Sequence, residues 1–186
     1  MKKKIIITGG LGYIGTELCK LYSGVSWHHK IVVIDNRFIS ERVNQLRNWN
    51  IEFIQGDILD KNIVKKHCED ADVVHHLAGI TDVPRTKSES SISSDEKIKE
   101  VGEIGTQNIL DVIKKNCKII FPSTHVVYEG IGEVKTDITE EETTQPILSY
   151  STSKAVNEEQ LKKSGKNYII LRLGSVYGYS SDTARI

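Results

Sequence analysis

Short runs of β-branched and other apolar residues recur along the chain: Ile5 to Ile7, Ile31 to Ile34, Ile51 to Ile54, Val73 to His76, Ile119 to Phe121 and Tyr168 to Leu171. Between them lie stretches of helical pattern. Apolar runs without strict alternation predict strands covered on both faces, and intervening helices predict parallel pairing. The chain therefore reads as an α/β fold, a doubly wound parallel sheet with strand order 3-2-1-4-5-6 and a ligand crevice at the carboxyl ends of strands one and four. Two polar stretches interrupt the pattern. Thr81 to Asp95, with Pro84 and several serines, predicts a mobile loop over the crevice, and Gly130 to Gln145 predicts a second loop between strand five and the next helix.

The first strand runs straight into Thr8-Gly9-Gly10-Leu11-Gly12-Tyr13-Ile14-Gly15. Glycine spacing of this kind, at a strand-to-helix turn, makes a dinucleotide site. Gly9 takes the tight turn, Gly12 lets backbone approach a pyrophosphate, and Gly15 lets the helix pack against the strand. The helix start at Tyr13 and Ile14 presents free N–H groups to phosphate. A carboxylate for the adenosine ribose is required about twenty residues on, at the end of the second strand. Asp35 stands there with Asn36 beside it, which favours NAD; Arg37 is the feature that would suit a 2′-phosphate instead. Asp57 and Ile58 end strand three, where a carboxylate and a backbone N–H can meet the adenine edge, although Asp57 is equally suited to cap the following helix. Leu77, Ala78 and Gly79 end strand four with small residues where backbone must run beneath the nicotinamide half.

Composition narrows the class. At 186 residues the chain suits one α/β domain, and 25 basic against 25 acidic residues leave no bulk charge to draw it to nucleic acid or an acidic membrane. The apolar run after Lys2-Lys3-Lys4 is too short for a signal peptide or a membrane span. Cys19, Cys68 and Cys117 are odd in number and widely spaced, which argues for reduced thiols and a cytoplasmic setting. Adjacent residues on a strand point to opposite faces, so His75-His76 is a poor chelating pair, and no metal is expected.

The chemistry sits late in the chain. Tyr150 and Lys154 are four residues apart, hence on one helical face, and an ammonium there lowers the phenol pKa from about 10 toward neutrality. Tyr150 then serves as general base, while Lys154 can also hold a ribose hydroxyl. Ser123 and Thr124 end strand five beside the same crevice, and Thr124 is the stronger candidate to bind the reacting substrate oxygen.

With the glycine loop, Asp35, Asp57-Ile58, His76-Leu77-Ala78-Gly79, Ser123-Thr124, Val127-Tyr128, Tyr150-x-x-x-Lys154, Leu171-Arg172 and Val176-Tyr177-Gly178 in order, the chain resembles an extended short-chain dehydrogenase/reductase of the NAD-dependent epimerase/dehydratase family. The resemblance implies tightly held NAD, nucleotide-sugar substrates and Thr124, Tyr150 and Lys154 as catalytic residues. It further implies a homodimer built through the helix before strand five and the helix bearing the tyrosine. Ile98, Val101, Ile104, Ile109, Val112 and Ile113 give the first of these more apolar surface than one sheet face needs, although burial within the monomer is the simpler explanation for several of them. Three departures stand out. Gly102 replaces the family's Asn ahead of Gly105-Thr106. His125-Val126 follows Thr124 where sugar dehydratases have Asp-Glu, which favours epimerisation. The chain stops at Ile186, so the family's C-terminal substrate domain is expected to be largely missing and strand six to be an exposed edge. These departures leave open a non-catalytic NAD-binding module, and Arg37 leaves open an NADP-dependent carbonyl reductase.

Overall fold

The computed structural model describes residues 2–81 and 91–178. Six strands, β1 (Lys4–Thr8), β2 (Lys30–Asp35), β3 (Glu52–Gln55), β4 (Val73–His76), β5 (Lys118–Thr124) and β6 (Asn167–Leu173), form one sheet in the order β3-β2-β1-β4-β5-β6. Every pairing is parallel, as the apolar runs predict. Helices α1 (Tyr13–Ser23), α2 (Ser40–Asn48), α3 (Lys61–Cys68), α4 (Ile92–Lys99), α5 (Gly105–Val112) and α6 (Ser149–Lys163) connect the strands. A π-helical turn at Glu100–Ile104 joins α4 to α5, and a 3₁₀ turn at His125–Tyr128 follows β5.

Alternation along each strand divides the core in two. Ile5, Ile7, Ile31 and Val33 meet Cys19 of α1 and Val43 and Leu46 of α2 on one face. Ile6, Val32, Val74, Ile119 and Phe121 meet Val64 of α3, Ile109 of α5 and Leu161 of α6 on the other. Both faces of the central strands are thereby dry, which explains their uninterrupted isoleucines and valines. β6 has a strand on one side only, and Tyr168, Ile169 and Leu171 remain 38–42% exposed, in line with the expected edge. Among the described residues, no helix is long and apolar enough to cross a membrane.

Three expectations are revised. Residues 82–90 of the polar stretch after β4 lie outside the described residues, but from Ser91 onward it is helix. The Ser91 hydroxyl caps α4 by accepting from the Ser94 N–H at 3.3 Å. The apolar side chains assigned to a dimer face are mostly spent within the subunit: Ile98, Ile109 and Ile113 are buried, Val101 and Val112 are partly buried, and Ile104 is half exposed. Gly15 meets the glycine loop rather than a strand, since a Cβ there would lie 2.5 Å from the Gly9 carbonyl oxygen. Backbone on both sides leaves little room to yield, so Gly15→Ala is expected to cost about 2 kcal/mol, seen in thermal unfolding as a fall in Tm of roughly 4–8 °C. An unchanged Tm would mean that the loop shifts at no cost.

Candidate active site

The carboxyl ends of the strands open into a cleft of about 930 Å³. Gly9 sits at φ +69° and donates its N–H to the Ile34 carbonyl at 2.8 Å, which turns the chain out of β1. That φ, and a Cβ position only 2.7 Å from the Ala78 nitrogen, restrict the site to glycine. Gly10, not singled out by sequence, packs on a side chain instead of backbone: a Cβ would lie 2.6 Å from Val33 Cγ1. Gly12 precedes α1, whose first turn carries no acidic residue and no side-chain cap, so its N-terminal N–H groups face the cleft without a competing carboxylate.

Asp35, buried at the end of β2, organises the loop from the side. Its Oδ2 accepts from the Leu11 N–H at 3.0 Å, and its Oδ1 accepts from the Arg37 N–H at 3.0 Å and from Arg37 Nε at 3.2 Å. The buried Arg42 guanidinium donates to the Leu11 carbonyl, so the backbone of Leu11 is held at both its N–H and its C=O. Asp57 does not cap a helix. Its Oδ1 accepts from the Leu59 N–H at 2.9 Å and its Oδ2 from Asn36 Nδ2 at 3.1 Å, while Asp60 caps α3. Buried Asn108 of α5 donates to the carbonyls of Ile58 and Leu59 at 3.0 and 3.3 Å, fixing the turn after β3.

At the middle of the cleft, His75 and His76 point to opposite sides of the sheet. His75 Nε2 lies 2.7 Å from the Tyr22 hydroxyl, and fully buried His76 bridges Thr8 at 2.9 Å and Thr106 at 3.0 Å. Burial, with the Lys154 charge acting the same way, pushes the His76 imidazole down to about 3, so it is neutral. The Thr8 hydroxyl also accepts from the Ala78 N–H at 3.2 Å, which sets the small-residue segment Leu77-Ala78-Gly79 along the cleft.

α6 carries the reactive face. Lys154 Nζ donates to the Pro122 carbonyl at 2.9 Å and lies 4.4 Å from the Phe121 ring centroid and 5.9 Å from that of Tyr150. Burial pushes its ammonium down to about 8, with the Glu158 carboxylate pulling the other way. The Thr124 Oγ1 accepts from the Val126 N–H at 3.3 Å. The Ser123 hydroxyl is committed elsewhere, donating to Glu158 Oε1 at 2.6 Å. Glu158 is itself only 2% exposed and receives Arg172 Nε at 3.0 Å and Nη2 at 2.6 Å. The start of α6 is held by Glu129, whose Oε1 accepts from the N–H groups of Ile147 and Leu148, both at 2.7 Å, and from the Ser151 hydroxyl.

Gly102 has a packing reason. A Cβ there would fall 2.2 Å from Ser153 Oγ, and its carbonyl accepts from Asn157 Nδ2 at 3.1 Å. The π-helical turn presents this carbonyl, and that of Glu103 to Gln160 at 3.0 Å, toward α6. A side chain at position 102 would require the Ser153 hydroxyl to turn aside.

All the residues named from sequence line this one cleft: the loop residues Gly9, Gly12, Tyr13, Ile14 and Gly15, the acids Asp35 and Asp57 with Asn36 and Ile58, the segment Leu77 to Gly79, and Thr124, Tyr150 and Lys154. Sequence reasoning missed Ser94, Lys97 and Glu100, which line the cleft from α4 and the π-helical turn. It also missed the supporting residues Arg42, Asn108, Glu129 and Glu158. Glu158 alone left a trace in the pattern, an acid one turn beyond Lys154 on a helix otherwise facing the core.

A model of the NAD dependent epimerase/dehydratase family matches residues 5–186. The chain belongs to that family. A dTDP-D-glucose 4,6-dehydratase of Dictyostelium discoideum is 31% identical over an alignment of 199 positions, covering 95% of this chain and 44% of the relative. A putative UDP-glucose 4-epimerase of Methanocaldococcus jannaschii is 31% identical over 187 positions, covering 96% of this chain and 57% of the relative. Among solved structures, the UDP-glucuronic acid 4-epimerase of Bacillus cereus in complex with NAD superposes with a TM-score of 0.76 at 28% identity, covering 94% of this chain and 57% of that one. The chain thus spans about half the length of the relatives it matches.

NAD is the family's cofactor, and the cleft fits it. The glycine loop forms a cradle that Cβ atoms would fill, the first turn of α1 is free of acids, and Asp35 offers a buried acceptor at the expected distance along the chain.

The Glu158 cluster yields a stability test. Burial opposes ionisation of Glu158, but hydrogen bonds from Arg172 and Ser123 outweigh it and hold the carboxyl below the usual range. A depressed carboxyl contributes stability that is complete above its unfolded pKa of about 4.3 and disappears as pH falls through the folded value. Glu158→Gln should therefore cost about 3 kcal/mol at neutral pH and flatten the acid limb of a Tm-against-pH profile below about pH 4.3. Parallel profiles for the two proteins would contradict the assignment.

Proposed function

We propose that this chain carries the cofactor-binding and proton-transfer half of a nucleotide-sugar epimerase. The observation that carries the reading is the gathering of Thr124, Tyr150 and Lys154 on the wall of the same cleft that the glycine loop and Asp35 close at its other end. Bound in the cleft, NAD would supply the hydride acceptor and donor for a sugar carbon. The residues of the chain handle the proton and the orientation. Tyr150 accepts the sugar hydroxyl proton on its phenol oxygen. Lys154, one helical turn away, favours the phenolate by its charge, and its hydrogen bond to Pro122 keeps that charge at the cleft wall. Thr124 uses a lone pair for the Val126 N–H and keeps its proton to donate to the reacting oxygen.

Epimerisation is preferred to dehydration because the residue after Thr124 is His125, whose Nδ1 lies 3.1 Å from the Leu173 carbonyl oxygen. The two positions directly after Thr124, His125 and Val126, carry no carboxylic acid to assist loss of water. The names of the relatives support a nucleotide sugar as substrate. Buried Cys19, Cys68 and Cys117, free of disulfides, suit a reducing cytoplasm, and half-exposed Ile104 suits a homodimer through the π-helical turn before α5.

Tyr150→Phe is expected to slow substrate-driven reduction of NAD, followed by absorbance of NADH, by about 10²–10⁴-fold while the Kd for NAD changes by less than about twofold. Weakened NAD binding with the reduction rate retained would overturn Tyr150 as the base.

A further inference from the structure

We propose that Arg37 makes the adenosine end of this cleft a dual-specificity site that accepts a 2′-phosphorylated dinucleotide, NADP, as well as NAD. The proposal rests on the reading that the adenosine ribose lies against Asp35.

A bare buried carboxylate at that position would repel a 2′-phosphate, which carries up to two negative charges. Asp35 is not bare. The Arg37 guanidinium lies across it, with Nε 3.2 Å from Oδ1 and Nη2 3.4 Å from Oδ2. Net charge around the ribose site is thereby offset before any ligand arrives. The contacts are long, and the Arg37 side chain is 50% exposed whereas that of Asp35 is 4% exposed. The acid is held by the fold, through the N–H groups of Leu11 and of Arg37 itself, and these two partners stay with it when the half-exposed guanidinium turns outward.

Its position is also apt. Arg37 Nη2 lies 3.7 Å from where a Gly12 Cβ would stand, which puts the cation between the ribose acceptor and the pyrophosphate loop. The second guanidinium nearby, Arg42, is buried and engaged on the Leu11 carbonyl. The second acid, Asp57, is engaged by Asn36 and the Leu59 N–H. Arg37 is therefore the exposed cation at this end that can form a bidentate contact with a phosphate, leaving Asp35 one step behind it in an alternating series of charges.

Calorimetric titration of the nucleotide-free chain with NAD and with NADP, for the wild type, Arg37→Ala and Arg37→Lys, tests this. The wild type should bind both dinucleotides. Arg37→Ala should raise the ratio of the NADP Kd to the NAD Kd by about tenfold or more, and Arg37→Lys should recover much of that loss. Tight NAD binding with no NADP binding at millimolar concentration, or a ratio that Arg37→Ala leaves unchanged, would overturn the proposal. If the wild type bound neither, the placement of adenosine against Asp35 would fall, and the proposal with it.

Discussion

The candidate site depends on one buried carboxylate. Glu158 has no access to water, so its charge is tolerable only with full hydrogen-bonded compensation. The compensation comes from Ser123 at the end of β5 and from Arg172 on β6, two strands locked in register by the sheet. α6 is consequently pinned to fixed points. An apolar contact of similar area would let a helix slide or rotate by a fraction of a turn, whereas a carboxylate with several directional donors will not. Lys154 and Tyr150, one and two turns before Glu158, inherit their height above the sheet from it. Arg172 extends the constraint outward through the Tyr128 hydroxyl and the Glu140 carbonyl, and Glu129 ties down the helix start.

The opposite end of the cleft uses the same device. Asp35 terminates a central strand, and its carboxylate reaches across to the Leu11 N–H. Arg42 takes the Leu11 carbonyl, so the loop is clamped at that residue between an acid and a guanidinium contributed by the β2–α2 segment. Glycines make the loop's path possible, but they do not choose it, since a glycine-rich segment is the part of a chain with most conformations available. The polar clamp makes the choice. In both places a strand end supplies rigidity and a buried side chain carries that rigidity to a segment that would otherwise be free.

This division explains what the sequence revealed. The central strands were legible because burial on both faces demands unbroken Ile and Val, and the glycine loop with Asp35 was legible because its spacing follows from backbone geometry. β5 was read too short: Pro122-Ser123-Thr124 has the composition of a turn, yet it continues alongside β6 where β4 no longer pairs with β5. Asp57 was legible as a cap candidate, but its carboxylate goes to the Leu59 N–H and Asn36, and Asp60 caps α3 instead. Glu158 stands one turn beyond Lys154, a spacing that any ordinary i, i+4 pair shares. Its partner Arg172 lies beyond the end of that helix on another strand, a relation that no local pattern contains. Gly102 looked like a lost side chain; its meaning lies in the close approach of α6 to a π-helical turn.

The environment of Lys154 shows why these hidden contacts bear on chemistry. A protonated His76 close to Lys154 would compete with it for the same field, and desolvation removes that competitor by keeping the imidazole neutral. Neutrality in turn lets one ring nitrogen donate and the other accept, which is what a bridge between two threonine hydroxyls requires. Desolvation also weakens the Lys154 ammonium, and Glu158 works against that loss from one turn along the helix. The buried acid therefore has two effects that cannot be separated by geometry alone: it positions α6, and it helps keep the cation on which the proposed base depends. Because the same carboxylate is held ionised by Arg172 and Ser123, the charge state of Lys154 is coupled to contacts on β5 and β6, away from the surface that a substrate would touch.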